Sequence, residues 1–179
     1  MTLLNRKTLW RFVRLAGDNL RGDWVLMGGT VLALLGIGHR VTVDIDIAGP
    51  DDSGNEDLFV LMSLAHRLGL PVETINQAGA FFLRQINRWR DDIVLLHQGK
   101  TASIWRPAAT LFVLLKLERF TEADLSDCLQ MLQYATAHGE PVDVRRLSRA
   151  ARAVMRRKGT SERKRERLER LVDALKKLR

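Results

Sequence analysis

A single cysteine, Cys128, stands in 179 residues, so no disulfide can form within the chain, which fits a reducing cytoplasm. Four prolines and 13 glycines give no low-complexity linker and no hint of wholesale disorder. No apolar run approaches the roughly 20 residues that span a bilayer. The opening MTLLNRKTLWRF carries charges every few residues where a signal peptide would be apolar. The four histidines (His39, His66, His97 and His138) lack metal-ligand spacing, and neither Ser103 nor Ser126 has a His and Asp context suggesting a hydrolase. Cys128 itself sits in a leucine-rich stretch and reads as a small core hydrophobe. Neither a P-loop nor a GxGxxG motif is present. The expectation is a cytoplasmic protein with no membrane partner.

What remains is charge, unevenly placed. The net charge is +8, yet residues 145–179 hold 15 Lys and Arg against four acids. That segment therefore carries +11, while 14 basic and 17 acidic residues leave −3 for residues 1–144. A basic segment without a bulky aromatic insertion face suits a polyanion, nucleic acid before membrane. The candidate contacts are Arg156, Arg157, Lys158, Arg163, Lys164 and Arg165. A merely solvated helix face is the plain alternative.

Hydrophobic periodicity predicts an amphipathic helix over residues 3–17, with Leu4, Leu9 or Trp10, Val13 and Ala16 on one face. A short strand follows at 24–27, a helix at 30–35 and a second strand at 41–47. Ser53-Gly54-Asn55-Glu56 has capping-box spacing and opens a helix to about residue 68, closed by Gly69 and Pro71. From 72 to 104 the texture is β, in the segments VETI, FFLRQI, DIVLLHQ and TASI. Beyond Pro107 only helices are expected, the last two basic. This order implies an α+β (mixed α/β) fold: a mixed β-sheet with flanking helices over 1–106, then a helical C-terminal subdomain over 107–179.

The strand at 41–47 poses a physical problem. In VTVDIDI, Asp44 and Asp46 are at i and i+2, so both carboxylates point to one side of a strand and repel. An Arg such as Arg40, or a divalent cation, could offset that. Mg²⁺ in particular takes one or two carboxylates and completes its shell with phosphates and water. A solvated polar strand face would explain the pair alone. Upstream, Gly28-Gly29-Thr30 stands at a strand-to-helix junction, where free backbone N–H groups and the helix dipole favour a phosphate. Absent side chains at both glycines permit close approach, and the Thr30 hydroxyl could donate one more hydrogen bond. A tight turn with Thr30 as cap is the plain reading of that segment taken alone.

Together, Gly28-Gly29-Thr30 and Arg40-Val41-Thr42-Val43-Asp44-Ile45-Asp46-Ile47 resemble the signature of nucleotidyltransferases of the DNA polymerase β superfold, most of all the AbiE-type and MenT-type toxin nucleotidyltransferases. The resemblance covers roughly residues 24–138. It implies the minimal nucleotidyltransferase core for the sheet and a role in toxin–antitoxin pairing, with an antitoxin protein as a partner. It also implies a Mg²⁺ (or Mn²⁺) ion held by Asp44, Asp46 and a third carboxylate, Asp92 or in the alternative register Asp91. An NTP would be bound by Gly28, Gly29, Thr30 and Arg40.

The same families carry a helical Lys, Arg, Asp-x-x-Asp stretch, matched by Lys116, Arg119, Asp124 and Asp127, although Ala123 stands where an Arg often precedes the first Asp. Lys116 interrupts the apolar run LFVLLKL, and a cation there is costly unless it snorkels or meets an anion, as in an ordinary surface ion-pair network. The resemblance makes a triphosphate that anion, bound by Lys116 and Arg119, with Asp124 and Asp127 in support.

The expected activity is transfer of a nucleotide from an NTP to an acceptor, with the basic segment pointing to RNA and the resemblance to tRNA. Two other readings stay open: a catalytically inactive nucleotidyltransferase fold that binds nucleic acid or a partner, and nucleotidylation of a small molecule such as an antibiotic.

Overall fold

A computed structural model of the chain describes residues 3–38 and 42–178. The chain divides into two compact units, Met1–Pro107 and Ala108–Arg179.

The first unit opens with α1 (Arg6–Asn19), whose start is capped by Asn5 Oδ1 accepting from Thr8 N at 2.9 Å. Of the two aromatic-or-leucine candidates for its inner face, Leu9 is buried and Trp10 half-exposed; Phe12, Val13 and Ala16 complete the buried stripe. Next come β1 (Gly22–Leu26), α2 (Gly28–Leu35), β2 (Ile45–Ala48) and α3 (Asn55–Arg67). The capping residue of α3 is Gly54, one residue later than the sequence pattern suggests. Glycine has no side chain to cap with, so only the return half exists: Asp57 Oδ2 accepts from Gly54 N at 3.2 Å.

A single 3-10 turn at Val72–Thr74 leads into the two-residue strand β3 (Ile75–Asn76), then α4 (Gly79–Arg84), β4 (Ile93–Gln98) and β5 (Ala102–Pro107). Here the β expectation for FFLRQI fails. The apolar run suits strand and helix alike, and the helix is chosen because Ala80 and Leu83, at i and i+3, both bury on one side of it. Phe81 and Phe82 are left 64% and 52% exposed.

The sheet runs β3-β2-β1-β5-β4. β1 is antiparallel to β2 and parallel to β5; β2 and β3 are parallel, β4 and β5 antiparallel. The central strand is buried on both faces, with Trp24, Val25 and Leu26 all 2% exposed or less. Such a strand reads as a continuous apolar run, which is why WVLM is recognisable in the sequence.

The second unit holds α5 (Ala109–Lys116), α6 (Glu122–Ala137), α7 (Val144–Arg156) and α8 (Glu162–Lys176). One apolar cluster joins them, with Val113, Leu125, Cys128, Leu147, Leu168 and Leu171 at its centre. The fold is thus mixed α+β, with eight α-helices and a five-stranded mixed sheet among the described residues. None of the described helices is long and apolar enough to cross a membrane.

Candidate functional site

The end of β1 and the start of β2 meet because their antiparallel register pairs Leu26 with Ile47. One residue further, Met27 N donates to Asp46 O at 2.9 Å. The chain then turns through Gly28, at φ +60°, directly into α2. A left-handed residue is one reason for glycine there, and proximity is another: a Cβ on Gly28 would collide with Asp46 Oδ2. Gly29 differs. Its φ is ordinary, and a Cβ there would make only ordinary van der Waals contact, with Thr42 Oγ1 at 3.8 Å.

Thr30 is wholly buried. Its hydroxyl accepts from Asp46 N at 3.0 Å and donates to Asp44 O at 3.1 Å. A hydroxyl has one proton to give, and here it goes to the strand rather than toward solvent. Thr30 therefore locks the start of α2 to the two aspartates from beneath instead of offering its proton to a phosphate. Thr42 secures the other side, donating to the same Asp44 carbonyl at 2.8 Å. It also extends the sheet, since Thr42 O accepts from Leu4 N at 2.9 Å.

β2 begins at Ile45, later than the 41–47 expectation; within it Asp46 lies on the face opposite Ile45 and Ile47, both fully buried, and Asp44 immediately precedes the strand. Asn76, which pairs with Asp46 across β3 and β2, donates from Nδ2 to Asp46 Oδ1 at 3.0 Å. The other end of that amide is occupied too, since Asn76 Oδ1 accepts from Ala78 N at 3.0 Å. Asp46 is thereby oriented, with Oδ1 toward Asn76 and Oδ2 against Gly28. No hydrogen bond from the described residues reaches the Asp44 carboxylate, which is half-exposed.

A glycine turn at a helix start is thus stitched through a buried hydroxyl to Asp46 of β2 and to Asp44 just before it. Residues 12–77 match a known family. Its description is nucleotidyl transferase AbiEii toxin, type IV TA system, and the matched span runs from α1 through β3, so it contains the whole of this constellation. The match supports an AbiE-type toxin nucleotidyltransferase. No curated protein and no solved structure matches the chain.

Within the AbiEii span the sequence reasoning missed Asn76. An isolated Asn beside a two-residue strand carries no motif; only its pairing with Asp46 marks it. Arg40 lies outside the described residues. Asp92 closes a 3-10 turn (Trp89–Asp92) before β4, with Asp91 beside it bonded to Arg88 at 2.7 Å. The expected third carboxylate does not join Asp44 and Asp46 there. β4 is the sheet's edge, and β1 and β5 intervene, a displacement of about 14 Å at the usual strand spacing. Among the described residues no three His, Cys, Asp or Glu side chains gather as a metal-binding group.

In the second unit the other expected residues do come together. Lys116 Nζ donates to Asp124 Oδ1 and Asp127 Oδ2, each at 2.9 Å, and is only 12% exposed. Arg119 grips Asp124 with both Nε and Nη2, at 3.0 and 2.8 Å. Thr121 N and Oγ1 add donations to Asp124 Oδ2 at 2.9 and 2.7 Å, closing a capping box on α6. The anion that a buried Lys116 requires is supplied from inside the unit: two cations meet two carboxylates. Burial of Asp124 would raise its carboxyl, but the hydrogen bonds from Arg119, Thr121 and Lys116 outweigh that and hold it well below the ordinary carboxylate range.

A cavity of about 540 Å³ in the first unit lies elsewhere. Gly22, at the start of β1, and Gly49 and Pro50, just past β2, line it, so it opens at the end of the sheet opposite the Gly28 turn.

Proposed function

We propose that this chain is a nucleotidyltransferase that moves a nucleotide from an NTP to a hydroxyl of an RNA acceptor, tRNA in the first instance, as the toxin of a toxin–antitoxin pair. One observation carries the reading. The buried Thr30 hydroxyl ties the backbone of Asp44 and Asp46 to the first turn of α2, so the phosphate-accepting turn and the two carboxylates form one rigid piece.

The donor set fits a hard divalent cation: an Asp44 carboxylate without a partner among the described residues, and an Asp46 carboxylate oriented by Asn76. Asp44 and Asp46 would hold Mg²⁺ (or Mn²⁺), which when bound neutralises phosphate charge and polarises the reacting phosphoryl group. Backbone N–H groups at the start of α2 would take the phosphates, with no side chain on Gly29 to hold them off. An acceptor oxygen attacks the α-phosphorus, the bond to the β-phosphate oxygen breaks, and pyrophosphate departs with the electron pair. Asn76 acts as a positioning residue by holding Asp46 Oδ1. The similarity to AbiEii toxins of type IV toxin–antitoxin systems supports an antitoxin partner.

Purified protein incubated with each α-labelled NTP, Mg²⁺ and total tRNA tests the reading. Label is expected on RNA with at least one NTP and is expected to vanish in Asp44→Ala. Failure of every NTP, or full transfer by Asp44→Ala, would overturn it.

A further inference from the structure

Cations in the second unit fall into two groups. Several on or around α8 are already used: Arg157 pairs with Glu118 at 2.7 Å, Lys164 Nζ donates to Glu118 O, and Arg165 and Arg167 donate to Met155 O and Phe120 O at 3.2 and 2.8 Å. Arg170 pairs with Glu122 at 2.8 Å. Those groups fasten α8 and the loop after α7 to the rest of the unit.

Along α7 the situation reverses. Arg145, Arg149, Arg152 and Arg156 recur at steps of four, three and four residues, hence on one helical face, and all are exposed. No carboxylate or carbonyl among the described residues bonds to any of the four. With Ser148 they line a depression of about 360 Å³, to which no acidic residue contributes. The opposite face, carrying Leu147, Ala151 and Val154, is buried in the unit's core, so α7 cannot roll to relieve the ladder. Like charges at i, i+3 and i+4 disfavour the helix, and Arg145, near the positive end of the helix dipole, adds to that. An unrelieved cationic ladder on a fixed helix attracts an external polyanion.

We infer that this arginine face of α7 is the surface that grips the phosphate backbone of a helical RNA stem. The inference deepens the RNA-acceptor reading above and rests on it for the choice of RNA. Guanidinium forks match phosphate oxygens. The four span 11 residues, about 16 Å of helix, room for about four phosphates along one strand. Large exposed hydrophobics, which a membrane or protein interface would use, all precede residue 96 among the described residues.

The test compares full-length wild type with the fourfold variant Arg145→Gln, Arg149→Gln, Arg152→Gln, Arg156→Gln, and with Lys164→Gln/Arg165→Gln. Binding to an RNA hairpin is titrated against salt, with a DNA duplex and phosphatidylserine vesicles alongside, and NTP binding measured in the same samples. The fourfold variant should bind the hairpin about 10³-fold more weakly at 0.1 M salt, its log–log salt slope smaller by about 3, with NTP binding unchanged. The Lys164/Arg165 variant should stay within about twofold of wild type, its two groups being spent internally. An unchanged slope in the fourfold variant, or tighter binding of wild type to DNA or vesicles than to the hairpin, overturns the inference. Loss of NTP binding in every sample with hairpin binding intact would instead overturn the nucleotidyltransferase reading and leave the α7 surface standing.

Discussion

The hydroxyl of Thr30 accepts the backbone N–H of Asp46 at 3.0 Å, across 16 residues of sequence. It is wholly buried, so the hydrogen bond is not replaceable by water. Thr30→Val keeps the shape and removes the acceptor, leaving the Asp46 N–H without it while the Asp44 carbonyl keeps only Thr42. Denaturant titration should show a loss of about 1–3 kcal/mol, with nucleotide transfer reduced as the carboxylates lose their register. Thr30→Ser, which retains the oxygen, should keep most of the transfer activity.

The two glycines of the turn should part company. Gly28→Ala places a methyl in a left-handed residue and against Asp46 Oδ2; it should cost about 1–2 kcal/mol for the backbone alone and disturb Asp46. Gly29→Ala meets no such obstacle and lies in the first turn of a helix, where alanine is favoured. Its melting temperature should equal or exceed that of wild type while NTP affinity falls, because the methyl occupies the space a phosphate would enter. Undiminished NTP binding by Gly29→Ala would separate the turn from phosphate recognition.

Asn76→Asp exchanges the amide that steadies Asp46 for another negative charge beside it. Without divalent cation this variant should melt below wild type. Saturating Mg²⁺ should then raise its melting temperature by more than it raises that of wild type, since a cation offsets the added repulsion. Equal Mg²⁺ responses would show that no cation settles near Asp46.

Asp124 links acid stability to the second unit. Its folded pKa lies below the ordinary 3.8 despite burial, owing to Arg119, Thr121 and Lys116. A depressed carboxyl contributes stability that is complete above its unfolded pKa and is lost as pH falls below about 4 toward the folded value. Amide exchange in α6 should therefore accelerate as pH drops through that window, after correction for intrinsic rates. Asp124→Asn should flatten the dependence and destabilise the protein by about 1–3 kcal/mol near neutral pH, since Lys116 keeps Asp127 and Arg119 is largely exposed.

Much of this protein is legible in its residues because the decisive signals are local. A continuous apolar WVLM, glycines at a strand-to-helix junction and alternating Asp-Ile-Asp-Ile each have one economical backbone solution, and the order of elements follows from periodicity. FFLRQI was not legible, since six residues with three adjacent apolar side chains satisfy strand and helix alike until neighbours choose the buried pair, Ala80 and Leu83.

What only the tertiary structure decided is partnership. Strand order put Asn76, not Asp92, beside Asp46; burial turned the Thr30 proton inward; and the folded helices gave Lys116 its counter-ions while leaving Arg145, Arg149, Arg152 and Arg156 of α7 without one among the described residues. The sequence determined which charged and hydroxyl groups exist and which share an element's face, since spacing along one backbone fixes direction. Which charges cancel depends on distances of a few ångströms between elements far apart in the chain, and those exist only once the chain has packed.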